Sequence, residues 1–299
     1  MTTATETMPI TRPERRKKPR SLWQHAVHTI LTDKLACTAL IIVGVYFLIA
    51  ILTFLGVFAS NWNVEVAAAY SPPSMDNIFG TDFLGRSVFF KTIKGTETAI
   101  AIGLSTSIIA LIIGTTLGAI AGYFGGIVDE IVVWFYTTFS AIPFIMLLVS
   151  IAFIMGKGTT TVFVSLGLTS WVGLCRIVRG EMMKHKDREY AHAANAIGAG
   201  HLRKIFKHIL PNISHVLIIN FSLTFEAAIK SEVILSYLGL GVQGRPSWGT
   251  MIDDSKLELA RGVWWQLAGA TLAMFIIVLA FNILGDALRD ALDPKLKGK

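Results

Sequence analysis

Long apolar runs, separated by short polar and basic segments, account for most of the chain. Six of them approach or exceed the roughly 20 residues that a helix needs to cross a bilayer core, and they lie at 36–58, 98–124, 127–155, 160–175, 213–238 and 264–284. The fourth run reaches spanning length only if Gly158 and Ile177 are included. The pattern predicts an all-α, polytopic membrane protein with six transmembrane helices.

Composition agrees with a chain that has the bilayer as its solvent. Hydrophobic residues make up 53% and charged residues 16%, whereas soluble proteins carry about 25% charged residues. The net charge of +7 comes from basic residues in short segments between apolar runs, which argues against a nucleic-acid partner. Cys37 and Cys175 form neither a disulfide framework nor a metal cluster.

The distribution of Lys and Arg predicts the orientation of the spans. The N-terminal segment, the connection 176–211 and the segment after 284 together carry 19, whereas the other connections carry seven. The positive-inside rule places the first group, and with it both termini, in the cytoplasm. The predicted parts are a basic cytoplasmic tail (1–35), a first transmembrane helix (36–58), an extracytoplasmic loop (59–97), a membrane core (98–285) and a cytoplasmic tail (286–299).

The second apolar run contains a stripe of glycines. Gly114, Gly118 and Gly122 recur every four residues, so they share one helix face on which another helix can approach closely. This spacing indicates helix packing and carries no chemistry.

The connection around 189–212 is too polar to span a bilayer and too regular for a linker. An alanine-rich, helix-prone segment comes first, and Gly198 and Gly200 interrupt it. Four apolar residues then recur at helical spacing opposite basic ones, and Pro211 ends the second helix; the four are Leu202, Ile205, Phe206 and Ile209. The pattern predicts a cytoplasmic knob, formed by a helix, a break and an amphipathic helix, that docks into a groove of a partner.

This connection resembles the EAA loop of the permeases of binding-protein-dependent ABC importers. The matching residues are His192-Ala193-Ala194, Gly198 and Leu210-Pro211, with His192 where the family has Glu. Three further stretches resemble the second permease subunit of the dipeptide and oligopeptide group, and they are Gly80-Thr81-Asp82 with Leu84-Gly85-Arg86, the segment 235–241, and Phe281-Asn282-Ile283-Leu284-Gly285-Asp286 continuing through 289–294.

The resemblance implies a type I ABC importer permease, a multi-pass protein of the inner membrane surrounded by lipid. It implies a homologous second permease, two ATPase subunits, an extracytoplasmic substrate-binding protein and a peptide substrate; the same family also includes nickel and other small-solute systems. ATP and Mg would be used by the ATPase subunits, with no cofactor on this chain. The coupling loop would be 176–212, and its coupling residues would be Glu189, His192, Ala193, Ala194 and Gly198.

The sequence contains no recognisable catalytic or metal-binding motif. Gly156-Lys157-Gly158-Thr159 is not a nucleotide-binding loop, because Ile151 stands where that loop needs its first glycine. The histidines lack the spacing and the cysteine partners of a zinc site. We therefore expect no catalytic and no metal-binding residues. The alternative from another class is a membrane-embedded enzyme that uses acidic and basic side chains of the fifth run.

The fifth apolar run carries charges at membrane depth. Ser222, Glu226 and Lys230 share one helix face, whereas Glu232 points elsewhere; the family usually has a Glu at the position of Glu232. Ionisable side chains avoid lipid, so we expect them to face the bundle interior or water. Two hypotheses remain open for this run: it lines the translocation pathway of a zwitterionic peptide, or Glu226 and Lys230 form a purely structural pair.

The charge distribution yields a test of topology. With Cys37 and Cys175 replaced, single cysteines at Ser74 and Ser247 should react with a membrane-impermeant thiol reagent in intact cells, and a cysteine at Lys186 should not. Labelling at Lys186 with protection of the other two would invert the orientation.

Overall fold

The computed structural model describes residues 22–292, and side chains from residue 27; the tail residues 1–21 and 293–299 lie outside the described part. Within it the chain is helical, with two isolated β-bridges and no strand. The helices are Leu22–Thr32 (α1), Lys34–Phe54 (α2), Val88–Phe124 (α3), Gly126–Ala141 (α4), Phe144–Met155 (α5), Thr159–Thr169 (α6), Trp171–Lys186 (α7), Glu189–Ala196 (α8), His201–Arg203 (α9), Ser214–Tyr237 (α10), Trp248–Leu259 (α11) and Trp265–Leu292 (α12).

Five helical segments are long and apolar enough to cross a membrane, and a bent pair makes a sixth candidate span. The bent pair is α4 and α5, which meet at 88°. Pro143 lies at the bend, and Ile142 before it is extended, with φ −85° and ψ 129°. Proline disfavours a helical conformation in the preceding residue and lacks an amide donor. The five spans and the bent pair together match the six predicted apolar runs, but the prediction of one continuous helix over 127–155 is wrong.

Several predicted boundaries differ from the structure. The first span is Lys34–Phe54 rather than 36–58, and α3 begins at Val88 rather than at 98. Ser87 caps α3, because its hydroxyl accepts a hydrogen bond from the amide of Phe90. The predicted loop 59–97 therefore contains the first turns of α3, the predicted loop 176–212 contains the end of α7, and α12 extends beyond 285 to Leu292.

Helix α3 forms the centre of the bundle. Each of the four largest buried hydrophobic clusters includes at least one of its residues, among them Ile100, Ile102, Ala110 and Ala119. These clusters join α3 to α2, α10 and α12, to α5 and α6, to α7, and to α4. Three of the residues that α3 leaves exposed at helical spacing, Ile108, Ile112 and Ile120, are apolar as well, so α3 lacks a polar face there.

The glycine stripe of α3 packs against the backbone of α7. A Cβ atom at Gly114 would lie 2.8 Å from the carbonyl oxygen of Trp171, and one at Gly118 would lie 2.5 Å from that of Cys175. Gly122 meets the carbonyl oxygen of Arg179 even more closely. The predicted close helix crossing is confirmed, because any side chain at these positions would push the two helices apart.

The two connections that flank α10 lie at opposite ends of the bundle. The residues between α7 and α10 lie at the start of α10. Those between α10 and α12, which include α11, lie at the other end of α10. We call these the knob end and the α11 end. The first turns of α3 belong to the α11 end, where the indole nitrogen of Trp248 donates to the carbonyl oxygen of Thr92 at 3.0 Å.

One of the two positions chosen for outward labelling is unsuitable. Ser247 is buried at the start of α11, so a reagent could not reach a cysteine there. Gln243 lies in the same connection and is exposed, as is Ser74 in the connection between α2 and α3. Gln243 therefore replaces Ser247 in the labelling experiment, and the orientation stays a prediction.

Helix crossing through glycine generates a second prediction. Gly118→Ala should destabilise the protein by about 1–3 kcal/mol, because the added methyl group overpacks the contact with Cys175. Gly180→Ala on α7 is the matched control, since a Cβ atom there meets nothing within 4 Å. Thermal unfolding of both variants in detergent measures the difference. Equal melting temperatures for Gly118→Ala and wild type would contradict the close crossing.

Candidate functional site

Helix α8 exposes one face at the knob end. Glu189, His192, Ala193 and Ile197 are exposed, whereas Ala194 is buried against the rest of the chain. Their helical spacing puts the exposed residues on one side of α8. Of the predicted coupling residues, Glu189, His192 and Ala193 thus belong to the outer face, and Ala194 does not.

Glycine ends α8 as predicted. Gly198 has φ +73°, a left-handed conformation that favours glycine, and a Cβ atom there would meet nothing within 4 Å. Gly200 has an ordinary φ of −65°. The break in the knob therefore depends on the backbone freedom of Gly198 and not on lack of space.

The second half of the knob is not the regular amphipathic helix that the sequence predicts. Lys204–Ile209 form a π-helical turn, and Leu210–Ile213 a 3₁₀ turn that leads into α10. Ile205 and Ile209 are buried, whereas Leu202 and Phe206 are largely exposed. The wider π turn puts residues four apart, but not three apart, on the same side, so the four apolar residues divide into two pairs.

Polar contacts attach the knob to the end of α3. The hydroxyl of Tyr123 lies 2.9 Å from Nδ1 of His201, and Nζ of Lys204 donates to Oδ1 of Asn195 at 2.5 Å. Lys204 also lies over the ring of Tyr123. Lys204, one of the basic residues predicted to lie opposite the apolar ones, is buried. Tyr123 thus connects the knob to the central helix through His201 and Lys204.

The predicted acid and base of α10 do form a pair. Nζ of Lys230 donates to Oε1 of Glu226 at 2.7 Å, and Nδ2 of Asn282 on α12 lies 3.2 Å from both oxygens of Glu226. The side chain of Glu226 is only 6% exposed, whereas that of Lys230 is 52% exposed. Ser222 is buried and bonds to the carbonyl oxygen of Ile218. Lys230 is therefore the one open member of this face.

Sequence reasoning missed the partner of Glu226. Asn282 lies in the stretch 281–286, which carries part of the family resemblance. The apolar pattern does not indicate which residue Asn282 contacts. The pairing depends on α10 and α12 packing together across a long separation in sequence.

Glu232 forms hydrogen bonds that hold the connection after α10 against the end of that helix. Its Oε1 accepts hydrogen bonds from the hydroxyls of Ser236 and Ser247, at 2.6 and 2.7 Å. A Cβ atom at Gly249 would lie 2.8 Å from Oε2. Glu232 is buried among these groups and does not share the open side of Lys230.

A buried charged cluster organises the α11 end. Oδ2 of Asp82 accepts from Nε of Arg86 and from Nζ of Lys91, both at 2.8 Å, and Lys91 also donates to Oε1 of Gln266 on α12 at 2.9 Å. Oδ1 of Asp82 accepts from the amides of Leu84 and Arg86. Burial opposes ionisation of Asp82, but Lys91 and Arg86 outweigh it and hold its pKa below the usual value. The stretch 80–86 is therefore a turn built around one carboxylate.

Glu258 of α11 is a buried carboxyl group without a hydrogen-bond partner among the described residues. Its side chain is 2% exposed, and within the described residues neither oxygen has a hydrogen-bond partner. The backbone of Phe83 approaches it without reaching hydrogen-bond geometry. Burial raises the pKa of Glu258 to about 7, against the opposing charge of Lys91 and with the repulsion of Asp254 and Asp82.

Comparison with known proteins shows similarity along nearly the whole chain. A family model described as "Binding-protein-dependent transport system inner membrane component" matches residues 114–298. The dipeptide transport system permease protein DppC of Bacillus subtilis (strain 168) is 38% identical over 286 residues, which cover 94% of this chain and 88% of that protein. The oligopeptide transport system permease protein OppC of the same strain is 37% identical, with 94% and 92% covered.

A third relative and a solved structure extend the comparison. The glutathione transport system permease protein GsiD of Pectobacterium atrosepticum is 33% identical, with 97% of this chain and 96% of that protein covered. A chain of the inward-facing MetNI methionine ABC transporter superposes with a TM-score of 0.55 at 19% identity, and the match covers 68% of this chain and 97% of that one. At that identity, the structural likeness concerns the fold alone.

The environment of Glu258 generates a third prediction. Its pKa in the folded chain, about 7, exceeds the unfolded value of 4.5, so the free energy of unfolding should fall by about 3 kcal/mol as the pH rises through this window and then level off. Glu258→Gln cannot ionise and should lose this pH dependence. Thermal unfolding at about pH 5 and about pH 8 measures it.

Glu65→Gln is the control for that comparison, because Glu65 lies at the same end and is exposed. It should behave as the wild type does at both pH values. If Glu258→Gln also retained the full pH dependence, the buried carboxyl would not be its source.

Proposed function

This chain belongs to the family of binding-protein-dependent transport system inner membrane components, and from that membership we propose that it is a permease subunit of an ATP-driven importer of short peptides. The observation that carries the proposal is the similarity, over more than nine-tenths of the chain, to permeases named for dipeptide, oligopeptide and glutathione transport. The chain is thus a multi-pass inner-membrane protein. Membership in a family of transport permeases also favours transport over the alternative of a membrane-embedded enzyme.

The proposed assembly contains a homologous second permease, two ATPase subunits and an extracytoplasmic binding protein. ATP and Mg belong to the ATPase subunits in this proposal, and this chain contributes conformational change only. Purification of the chain from its native membrane, with mass spectrometry of the intact complex, tests the assembly. Uptake of a labelled dipeptide by the reconstituted complex tests the cargo, and a complex that takes up a metal ion or another small solute instead of dipeptides would overturn the peptide assignment.

The knob is the proposed docking element for the ATPase. Three large apolar side chains, those of Ile197, Leu202 and Phe206, are largely exposed on the connection between α7 and α10. Exposed apolar groups of this size on a polar connection typically mark a contact with another protein. The contacts of Tyr123 with His201 and with Lys204 would pass a displacement of the knob directly to α3.

Helix α10 is the proposed lining helix of the pathway. Leu223, Ala227, Lys230 and Ile234 are exposed at helical spacing and form a stripe that the paired permease would face. Within this stripe, the ammonium of Lys230 can attract the carboxylate of a passing peptide. Glu226 supports it from the buried side and is itself held by Asn282.

Coupling through the knob generates the fourth prediction. Gly198→Leu forces a branched residue into φ +73° and should reorient α8 against its partner. Peptide-stimulated ATP hydrolysis and uptake should fall while the amount of inserted protein is unchanged. Gly200→Leu is the matched control, since it adds the same side chain two residues away at φ −65°. Normal coupling in Gly198→Leu would remove this break from the mechanism.

The pair on α10 generates the fifth prediction, in the form of a double-mutant cycle. If Lys230 and Glu226 contribute to the pathway, Glu226→Gln and Lys230→Met should each lower uptake, and the double variant should not recover. If the two side chains only neutralise each other, each single change strands a charge, and the double change should restore assembly and most uptake. Uptake is normalised to the amount of protein, and full recovery would exclude the pathway role.

A further inference from the structure

A polar cavity of about 410 Å³ opens at the α11 end of the bundle. It lies between the connection that follows α10, α11 and the region around the start of α3, and its volume is in the range of small-molecule sites, about 300–1,000 Å³. Six charged residues line it: Arg86, Lys91, Lys157, Arg245, Asp253 and Asp254. Four of the six are basic, so the cavity is positive overall.

Several of these charged side chains lack a close ion-pair partner among the residues that the structure describes and can therefore bind a ligand. Arg245 is 48% exposed, and its guanidinium lies 3.7 Å from Oε1 of Glu97, whose Oε2 already binds Nζ of Lys94 at 2.5 Å. Lys157 has no ion-pair partner within the part of the chain that the structure describes. Asp254 is partly exposed and lies 3.9 Å from Lys91, which binds Asp82 more closely.

The backbone that carries Arg245 is fixed in place. The hydroxyl of Thr98 on α3 donates to the carbonyl oxygen of Pro246 at 2.8 Å, and Ser247 is held by Glu232. On the other side of Arg245, a Cβ atom at Gly241 would lie 2.6 Å from the Cα of Ser236, so this turn sits tightly on the end of α10. A site whose backbone is already ordered loses little entropy when it binds a ligand.

We propose that this cavity is an acceptor site for the charged ends of a short peptide, with the carboxylate at Arg245 and Lys157 and the ammonium at Asp254. The proposal rests on the proposed peptide import and adds a site for its substrate. Arginine binds carboxylates through two parallel hydrogen bonds, which suits the end of a peptide. The cavity lies at the opposite end of α10 from the knob. In the orientation that the charge distribution predicts, this is the outer end, where a peptide would arrive before it entered the pathway.

The test measures how many peptides enter per ATP hydrolysed. The full importer is reconstituted in proteoliposomes with saturating binding protein loaded with radiolabelled alanylalanine, and both uptake and ATP hydrolysis are recorded. Arg245→Gln and Lys157→Gln should each lower the ratio of uptake to hydrolysis, by about tenfold for the arginine, the size expected for one charge-assisted hydrogen bond. Asp254→Asn should lower it as well, and ATP hydrolysis stimulated by the loaded binding protein should remain.

Arg261→Gln is the matched control. Arg261 is an exposed arginine at the same end, stacked on Tyr70 and outside the cavity lining. It loses the same charge and should keep the wild-type ratio, whereas Arg245→Lys should recover part of the loss.

Two results would overturn the acceptor site. One is an unchanged ratio in all three cavity variants. The other is a parallel loss of uptake and of stimulated ATP hydrolysis, which would make the cavity a docking surface for the binding protein. Failure of the proposed function looks different, because the wild-type complex itself would then hydrolyse ATP without taking up dipeptide.

Discussion

The close crossing of α3 and α7 is the constraint on which the rest of the bundle depends. Three glycines of α3 each face a carbonyl group of α7, and these carbonyl groups lie one helical turn apart. The two backbones therefore pack without intervening side chains. In a bilayer, contacts of this kind hold helices together, since lipid tails are as apolar as the side chains. Because α3 belongs to all of the larger clusters, its position relative to α7 determines where the other spans can pack.

Helix α3 also connects the knob end and the α11 end. Its last turns contact the knob through Tyr123, and its first turns carry Lys91 into the charged cluster at the α11 end. Lys91 donates to both Asp82 and Gln266, and these contacts offset part of the cost of burying its charge and that of Asp82. Helix α3 is therefore a single element that contacts both the knob and the cluster beside the cavity at the opposite end.

The family motifs have structural explanations that their residue types alone do not supply. In the stretch 80–86, Asp82 is the centre of a turn that closes against α3 and α12. In the stretch 235–241, Ser236 and Gly241 pack the chain onto the end of α10. In the stretch 189–198, Ala194 packs inward, whereas His192 and Ala193 are exposed.

The apolar pattern by itself determined the number of spans, the glycine crossing and the break in the knob, since each follows from residue types at local spacing. Tertiary structure decided the features that depend on distant partners. The π turn at Lys204–Ile209 packs Ile205 and Ile209 against α7, and the early first turns of α3 place Lys91 against Gln266 of α12. Likewise, the sequence does not show which of Glu226 and Lys230 is buried. Packing against Asn282 of α12 buries Glu226, and Lys230 remains exposed.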